Sequence, residues 1–240
     1  MELSLLEFLL GLFGLIFVLI TVTVGIIIIS KYFKYKKWEF LFIGIGWIAL
    51  PSGYYPDGIN FIMILFYDKT LSLLIYLFIA TVFLTPALFL WLLVITDLIN
   101  LNHRKLVLTI FFIICAVFEI TLLSLLFIDP SLVGTLINPF TVEFSLFTQV
   151  LILFALFVFM IFGFLFIKEL FISKTPELKL KGKFLLVAFL SLLIGVFLEV
   201  VLPISPLTVV IIRLILISSS IEFYFGYTLP SWVKKIFLKK

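Results

Sequence analysis

Six long apolar runs limit what this chain can fold into. They cover residues 4–30, 70–98, 106–128, 141–167, 184–202 and 207–228. A helix needs about 20 apolar residues to cross the hydrocarbon core of a bilayer, and a closed β-barrel is the only other structure that crosses it. Barrel strands alternate apolar and polar residues, and these runs do not. The runs therefore predict an all-α integral membrane bundle of transmembrane helices.

The composition agrees with a surface that faces lipid. Of the 240 residues, 65% are hydrophobic and 12% are charged, and the mean hydropathy is +1.40. A soluble domain is about half apolar and about a quarter charged, so its interior would be too small for these side chains. The formal net charge of +4 raises the question of nucleic acid. The lysines are grouped between the apolar runs and form no single basic face, so we expect no nucleic-acid partner.

A seventh span is expected at 38–55. It ends at Tyr54 and Tyr55, which suit the headgroup level of a membrane, and Pro51 should kink the helix or end it early. The apolar part of the next stretch, 56–69, is too short to span. We expect that stretch to be an outer interfacial segment, either a short helix in the interface or a re-entrant segment.

The basic residues indicate the orientation. They lie between the first two spans, after the third, around the loop that follows the fifth, and in the basic tail at 229–240; only Lys69 and Arg213 depart from this pattern. Acidic residues predominate on the other side: Glu2, Glu7, Asp57, Asp68, Asp129 and Glu143. Cytoplasmic loops carry the excess of lysine and arginine. We predict one domain, 1–240, that crosses the cell membrane seven times with its N-terminus outside and its C-terminus in the cytoplasm.

Ionisable residues inside spans are costly, so they are functional candidates by default. Arg213 lies seven residues after Pro206, about 10 Å below the outer boundary, and Glu119 and Gln149 lie at comparable depths. Glu199 lies nearer to the outer end of the sixth span. These four polar residues are expected to form one layer in the outer half of the bundle.

Two interpretations of this layer remain open. In the first, Arg213 anchors an anionic or polar ligand in a cavity that opens outward, and Glu199, Glu119 and Gln149 contribute to the binding site. In the second, Glu199 and Arg213 form an internal ion pair that holds the last two spans together. Both interpretations place Arg213 toward the bundle interior, because an unpaired charge facing lipid is expensive.

A second polar group lies near the cytoplasmic side. Asp97 is close to the inner end of the third span, and Glu222 and Tyr224 are close to the inner end of the seventh. One interpretation is a cytoplasmic switch formed by these residues, and the other is ordinary helix termination at the interface. The basic loop at 168–183 and the tail are expected to lie on anionic inner-leaflet headgroups, each lysine contributing about 1 kcal/mol.

Patterns that would indicate catalysis are missing. One histidine, His103, cannot supply the ligand set of a zinc protease, and one cysteine, Cys115, cannot form an intrachain disulfide. The chain has neither a Gly-x-Ser-x-Gly motif nor a glycine-rich phosphate loop. We therefore expect no enzyme, no catalytic residues and no metal site.

The number and direction of the spans resemble those of microbial rhodopsins and G-protein-coupled receptors. Retinal proteins carry a Schiff-base lysine in the last helix, whereas residues 211–225 contain no lysine, so we expect no retinal cofactor. The receptor motifs Asp-Arg-Tyr and Asn-Pro-x-x-Tyr are also missing.

A further resemblance rests on four short segments: Thr96-Asp97-Leu98, residues 179–184, residues 222–226, and Leu229-Pro230-Ser231-Trp232. Through them the chain resembles the seven-helix sensor modules at the N-termini of some histidine kinases, and archaeal seven-helix membrane proteins. The resemblance implies a sensing role. A short tail stands where those kinases continue, so we expect output through a separate cytoplasmic or membrane signalling partner.

The sequence thus favours a stand-alone membrane sensor or receptor-like protein that binds a ligand in the outer half of the bundle. The alternative is a small-solute transporter or channel. That class usually has broken helices, midplane polar groups and small packing residues. A structural or assembly protein that packs against another membrane protein is the second alternative. Solute flux would identify the first alternative, and stable co-purification with one partner would favour the second.

Overall fold

The computed structural model describes residues 3–238, so the expectations for Glu2, Lys239 and Lys240 fall outside it. Its helices are α1 (Leu5–Tyr35), α2 (Glu39–Ala49), α3 (Tyr55–Tyr67), α4 (Leu73–Thr81), α5 (Leu84–Leu98), α6 (Arg104–Ile128), α7 (Leu146–Ile172), α8 (Pro176–Val201), α9 (Pro206–Thr228) and α10 (Ser231–Phe237). Short 3-10 turns lie at Ser52–Tyr54 and Pro130–Leu132. Strands β1 (Gly134–Asn138) and β2 (Thr141–Phe144) pair antiparallel.

Six helical segments in the described chain are long and apolar enough to cross a membrane. They are α1, the combined segment Leu73–Leu98, α6, α7, α8 and α9. The chain is about 82% helical, which confirms the prediction of an all-α fold with membrane-length helices. The Leu73–Leu98 segment is interrupted between α4 and α5, just before Pro86, where a proline removes a helical hydrogen bond.

The stretch expected to form the seventh span is a broken helix. As Pro51 predicts, α2 ends early, at Ala49, and α3 begins at Tyr55 after the 3-10 turn. The two pieces follow one another along α1, antiparallel to it. A Cβ atom added to Gly25 would lie 2.9 Å from the carbonyl oxygen of Gly44 in α2, and one added to Gly14 would lie 3.0 Å from Cβ of Asp57 in α3.

The segment 56–69 forms most of α3, and one face of that helix is buried. Its buried residues are Pro56, Asp57, Gly58, Asn60, Phe61 and Ile64. The Asn60 amide donates a hydrogen bond to the carbonyl oxygen of Pro139, and its side-chain oxygen accepts one from the backbone N–H of Leu71. The helix thus packs inside the bundle along α1, and its polar residues reach the interior.

Residues 141–144, which the apolar run placed at the start of a helix, form β2 instead. The helix α7 begins at Leu146, where the Ser145 side chain accepts a hydrogen bond from the backbone N–H of Thr148. The β1–β2 hairpin lies at the end of the bundle where α6 ends and α7 begins, and Phe140 in its turn packs with Leu10 and Phe61.

Aromatic side chains fill the centre of the bundle. The Trp47 ring stacks on Phe223 with centroids 3.6 Å apart and an interplanar angle of 5°. Trp91, Phe159 and Phe189 pack around this pair from α5, α7 and α8. This core joins α2, α5, α7, α8 and α9, and it forms the floor beneath the site described next.

Candidate functional site

Arg213 lies at the centre of a buried ionic cluster in the half of the bundle that carries the β1–β2 hairpin. It belongs to α9 and is 3% exposed. Its Nη1 atom lies 3.0 Å from Oε1 of Glu199, and its Nη2 atom lies 3.9 Å from Oδ2 of Asp57. The guanidinium carbon lies 4.4 Å from the ring centroid of Tyr54, a favourable cation–π arrangement.

Two tyrosine hydroxyls satisfy the remaining oxygens of these carboxylates. Tyr54 donates a hydrogen bond of 2.6 Å to Oε2 of Glu199, and Tyr76 donates one of 2.6 Å to Oδ1 of Asp57. We call these five residues the Arg213 cluster: Tyr54, Asp57, Tyr76, Glu199 and Arg213. They come from the 3-10 turn, α3, α4, α8 and α9, so the cluster connects widely separated parts of the chain.

The break between α2 and α3 positions two members of the cluster. Tyr54 ends the 3-10 turn, and Asp57 lies in the first turn of α3, where a negative charge is stabilised by the helix dipole. A continuous helix through residues 50–55 would rotate both side chains relative to α9. The proline that breaks the apolar run therefore also builds the ionic site.

A cavity of about 660 Å³ adjoins the Arg213 cluster. Small-molecule sites in proteins occupy roughly 300–1,000 Å³ and combine apolar walls with a few polar groups. Most of the lining here is apolar. The ionisable lining residues other than tyrosine are Asp57, Glu143, Glu199 and Arg213.

Two buried hydrogen-bond donors on residues of the cavity lining have no acceptor within residues 3–238. They are Nε of Arg213 and the indole Nε1 of Trp47, and both residues belong to the lining. Buried polar groups are nearly always hydrogen-bonded, and leaving one unsatisfied costs about 1–3 kcal/mol. The arrangement can accommodate a molecule that presents acceptor atoms to these donors and apolar surface to the rest of the wall.

The four residues predicted to form the polar layer separate in the structure. Arg213 and Glu199 are in contact, and Gln149 lines the cavity while its amide donates a hydrogen bond of 2.8 Å to the carbonyl oxygen of Phe144. Glu119 lies outside the lining and accepts a hydrogen bond from the Thr85 hydroxyl on α5. Helix α6 packs against α5 and α4, so depth alone did not identify its neighbours.

Sequence reasoning missed Tyr54, Asp57 and Tyr76. It placed Asp57 among the charges on the outer side, because the apolar stretch after it is too short to span. A signal was present in Pro56-Asp57, since proline and an acidic residue both favour the first turn of a helix. That signal predicts the start of α3, but it does not show that the helix packs against α9.

The residues proposed as a cytoplasmic switch also lie apart. Asp97 pairs with Arg104, with Oδ1 and Nη1 3.1 Å apart, and Arg104 also donates a hydrogen bond to the carbonyl oxygen of Leu93. Glu222 accepts a hydrogen bond of 2.6 Å from Ser218. Between residues 3 and 238, no hydrogen bond or ion pair joins Asp97 to Glu222 or Tyr224.

Lysines converge at the other end of the bundle from the cavity. Nζ of Lys181 donates a hydrogen bond of 3.1 Å to the carbonyl oxygen of Tyr227. Nζ of Lys31 donates one of 3.5 Å to the carbonyl oxygen of Thr228. Lys234 in α10 pairs with Glu177 at 2.5 Å. The first two contacts connect α8 and α1 to the last turn of α9, where cations are favourable, and the third connects α10 to α8.

Comparisons with known proteins leave the chain without a family. No protein-family profile matches it, and no curated protein matches it either. Within residues 3–238, no group of three or more His, Cys, Asp or Glu residues could hold a metal ion. Functional assignment therefore depends on the Arg213 cluster and the cavity beside it.

Proposed function

We propose that this chain is a seven-helix membrane sensor or receptor-like protein. It binds a ligand in the cavity beside the Arg213 cluster and passes a conformational change to a separate partner. One observation carries the proposal: an apolar cavity of ligand size adjoins two buried donors, Nε of Arg213 and Nε1 of Trp47, that have no acceptor among residues 3–238. A molecule in the cavity that carries an acceptor atom beside Arg213 would supply the hydrogen bond that its Nε lacks.

The proposed topology counts α2 and α3 together as one crossing. They lie end to end along α1, from Gly44 beside Gly25 to Asp57 beside Gly14, which supports a crossing as long as its neighbour. With this crossing the proposed chain crosses the membrane seven times, and its N-terminus is outside. The grouping of Lys31, Lys181 and Lys234 at one end supports a cytoplasmic location for that end.

A row of stacked rings supports transmission from the cavity to the inner end. Trp47 lines the cavity and stacks on Phe223, and Phe223 stacks on Tyr227 with centroids 5.9 Å apart and an interplanar angle of 3°. The carbonyl oxygen of Tyr227 accepts the Lys181 hydrogen bond. A ligand that packs against the Trp47 ring would move this row and with it the start of α10.

Native mass spectrometry of protein purified from its own membrane tests the binding function. Leu192→Trp should fill part of the cavity, whereas Leu193→Trp is a matched control because Leu193 is outside the lining and 39% exposed. We expect a bound molecule on the wild type and on the Leu193 variant, and a large loss of it on the Leu192 variant. Equal occupancy of all three proteins would contradict a cavity site.

A small-solute transporter is the second candidate, and the broken α2–α3 helix favours it. Transporters often bind their substrates where a helix is interrupted, with half-helix ends at the site. The cavity lining includes Pro51, Ser52, Gly53 and Tyr54, all within the interruption. Flux measured in proteoliposomes decides between the two functions: substrate-dependent transport that Leu192→Trp abolishes would replace the sensor proposal.

A further inference from the structure

The charges around the cavity restrict the ligand. Arg213 is the only cationic residue in the described lining, and two carboxylates, Asp57 and Glu199, already face it. Glu143 adds a further acid at the hairpin end of the cavity. With every group ionised, the lining carries an excess of negative charge. An anionic ligand would meet a neutralised arginine, whereas a cation would meet an unbalanced carboxylate.

Glu199 is the carboxylate that can receive a ligand cation. Its side chain is 36% exposed, whereas that of Asp57 is 5% exposed. One oxygen of Glu199 faces Arg213 and the other accepts the Tyr54 hydroxyl, and each carboxylate oxygen can accept a further hydrogen bond. Glu199 therefore joins the buried cluster to the open part of the cavity.

The shape of the cavity fits a chain rather than a compact solute. Its lining on α9 extends from Thr208 to Ser220, about 18 Å at the helical rise per residue. The far end is formed by aromatic and small residues, among them Trp47 and Phe159. A molecule that fills this length must be mostly apolar.

Part of the cavity wall formed by α7 and α8 is exposed. The inner halves of these helices are close together, since a Cβ atom added to Gly163 would lie 2.7 Å from Cζ of Phe189. Their outer halves contribute Leu153 and Val200 to the lining, and these side chains are 62% and 79% exposed. A surface this apolar faces lipid in a membrane protein, so a ligand can reach this wall from the bilayer. Residues 140–144 of the hairpin line the outer end.

We infer that the ligand is a long-chain amphiphile with a cationic amine head, which enters from the membrane between α7 and α8. This inference rests on the proposed ligand-binding function and names the class of ligand. The amine pairs with Glu199, and the chain extends along α9 toward Trp47. An acceptor beside the amine, such as a hydroxyl, takes the free N–H of Arg213.

Three probes with the same chain test this inference on the full-length protein: dodecylamine, dodecanol and dodecanoate. Affinities measured by tryptophan fluorescence in lipid nanodiscs should be highest for dodecylamine and lowest for dodecanoate. Butylamine, which has the head without the chain, should bind far more weakly than dodecylamine. Tightest binding of dodecanoate, or equal binding of butylamine and dodecylamine, would overturn the inference.

Variants locate the head and the entry route. Glu199→Gln retains the shape and should weaken dodecylamine binding roughly tenfold or more while leaving dodecanol nearly unchanged, since a hydrogen bond to a charged group is the stronger kind. Val200→Trp narrows the opening and should slow association, whereas the neighbouring Phe197→Trp, outside the lining, should not. An unchanged dodecylamine affinity in Glu199→Gln would also overturn the inference.

Failure of this inference differs from failure of the proposed function. Dodecylamine binding that depends on Glu199 but leaves amide exchange in α10 unchanged would support the inference and contradict the sensor function. A bound endogenous molecule that is anionic, removed by Leu192→Trp, would support the binding function and contradict the cationic ligand.

Discussion

Asp57 and Arg213 face each other inside the bundle, with Oδ2 and Nη2 3.9 Å apart and both side chains almost fully buried. Asp57 lies in the first turn of α3, and Arg213 lies in the N-terminal half of α9. Glu199 completes the ionic group from α8. The same three residues therefore hold helices together and form a wall of the cavity, so a molecule at this wall acts on contacts between helices.

Removing Arg213 should destabilise the protein far more than removing an exposed arginine. In Arg213→Met, Asp57 remains buried and Glu199 partly buried without their cation, and breaking a buried pair costs about 3–5 kcal/mol. Arg104→Met is the matched control, because the Asp97–Arg104 pair is largely exposed and such pairs contribute about 0–1 kcal/mol. Reversible unfolding in mixed micelles measures both free energies. Equal losses would show that the cluster is not a buried ionic site.

Removing one of the orphaned charges should restore part of the stability that Arg213→Met loses. Asp57→Asn in the Arg213→Met background removes one of the two orphaned charges, and the Tyr76 hydroxyl still has the amide oxygen as an acceptor. We expect the double variant to be more stable than Arg213→Met alone by about 1–3 kcal/mol. A double variant with the summed losses of the two single variants would contradict direct coupling of Asp57 and Arg213.

The close approach of α1 to α2 requires glycine at residue 25. In Gly25→Ala the new methyl group would lie 2.9 Å from the carbonyl oxygen of Gly44 and still closer to Ile48, and overpacking of this kind costs about 1–3 kcal/mol. Gly53→Ala is the control, since nothing lies within 4 Å of its added Cβ, and its effect should stay within about 0.5 kcal/mol. Thermal unfolding compares the two, and a larger loss in Gly53→Ala would contradict the described helix pairing.

Phe223 should connect the cavity to the inner end without being needed for binding. Phe223→Leu removes the ring that stacks between Trp47 and Tyr227, while Phe223 itself is outside the cavity lining. We expect dodecylamine to bind this variant within a few-fold of its wild-type affinity, and its effect on amide exchange in α10 to be lost. If dodecylamine still changes amide exchange in α10 of this variant to the full extent, transmission through the Phe223 ring is excluded.

Glu119 should be dispensable for ligand binding, although it lies well inside the membrane-length helix α6. It faces Thr85 and lies outside the cavity lining, so Glu119→Gln should leave dodecylamine affinity unchanged. The comparison with Glu199→Gln uses the same chemical change at a lining residue. A tenfold loss of affinity in Glu119→Gln would place the binding site elsewhere.

The sequence predicts those parts of the fold that depend on local patterns. Long apolar runs identify the membrane-length helices, and the short turn before Pro206 makes Glu199 and Arg213 neighbours. The hairpin at 134–144 had signals of its own in Thr141, Val142 and the Asn138-Pro139 turn, but the apolar run that follows concealed them. A strand and a helix that share one apolar stretch, as β2 and α7 do, are difficult to separate from the sequence.

The rest of the site depends on contacts that no local pattern contains. Asp57 reaches Arg213 because Gly14 and Gly58 let α3 lie close to α1, and Glu119 misses the cavity because α6 turns that side chain toward α5. Depth along a helix follows from the number of residues, whereas the direction of a side chain depends on which helices are neighbours. Tyr54, which was expected at the headgroup level, and Tyr76, for which the sequence made no prediction, acquire their roles from the same packing.

An experimental structure of the protein purified with its own membrane lipids tests the central claim most directly. The account predicts a cavity between α7, α8 and α9 that contains density in contact with Glu199 and extends toward Trp47. A closed bundle would contradict it, with Arg213 sealed against Asp57 and Glu199, the outer halves of α7 and α8 in contact, and no space beside them.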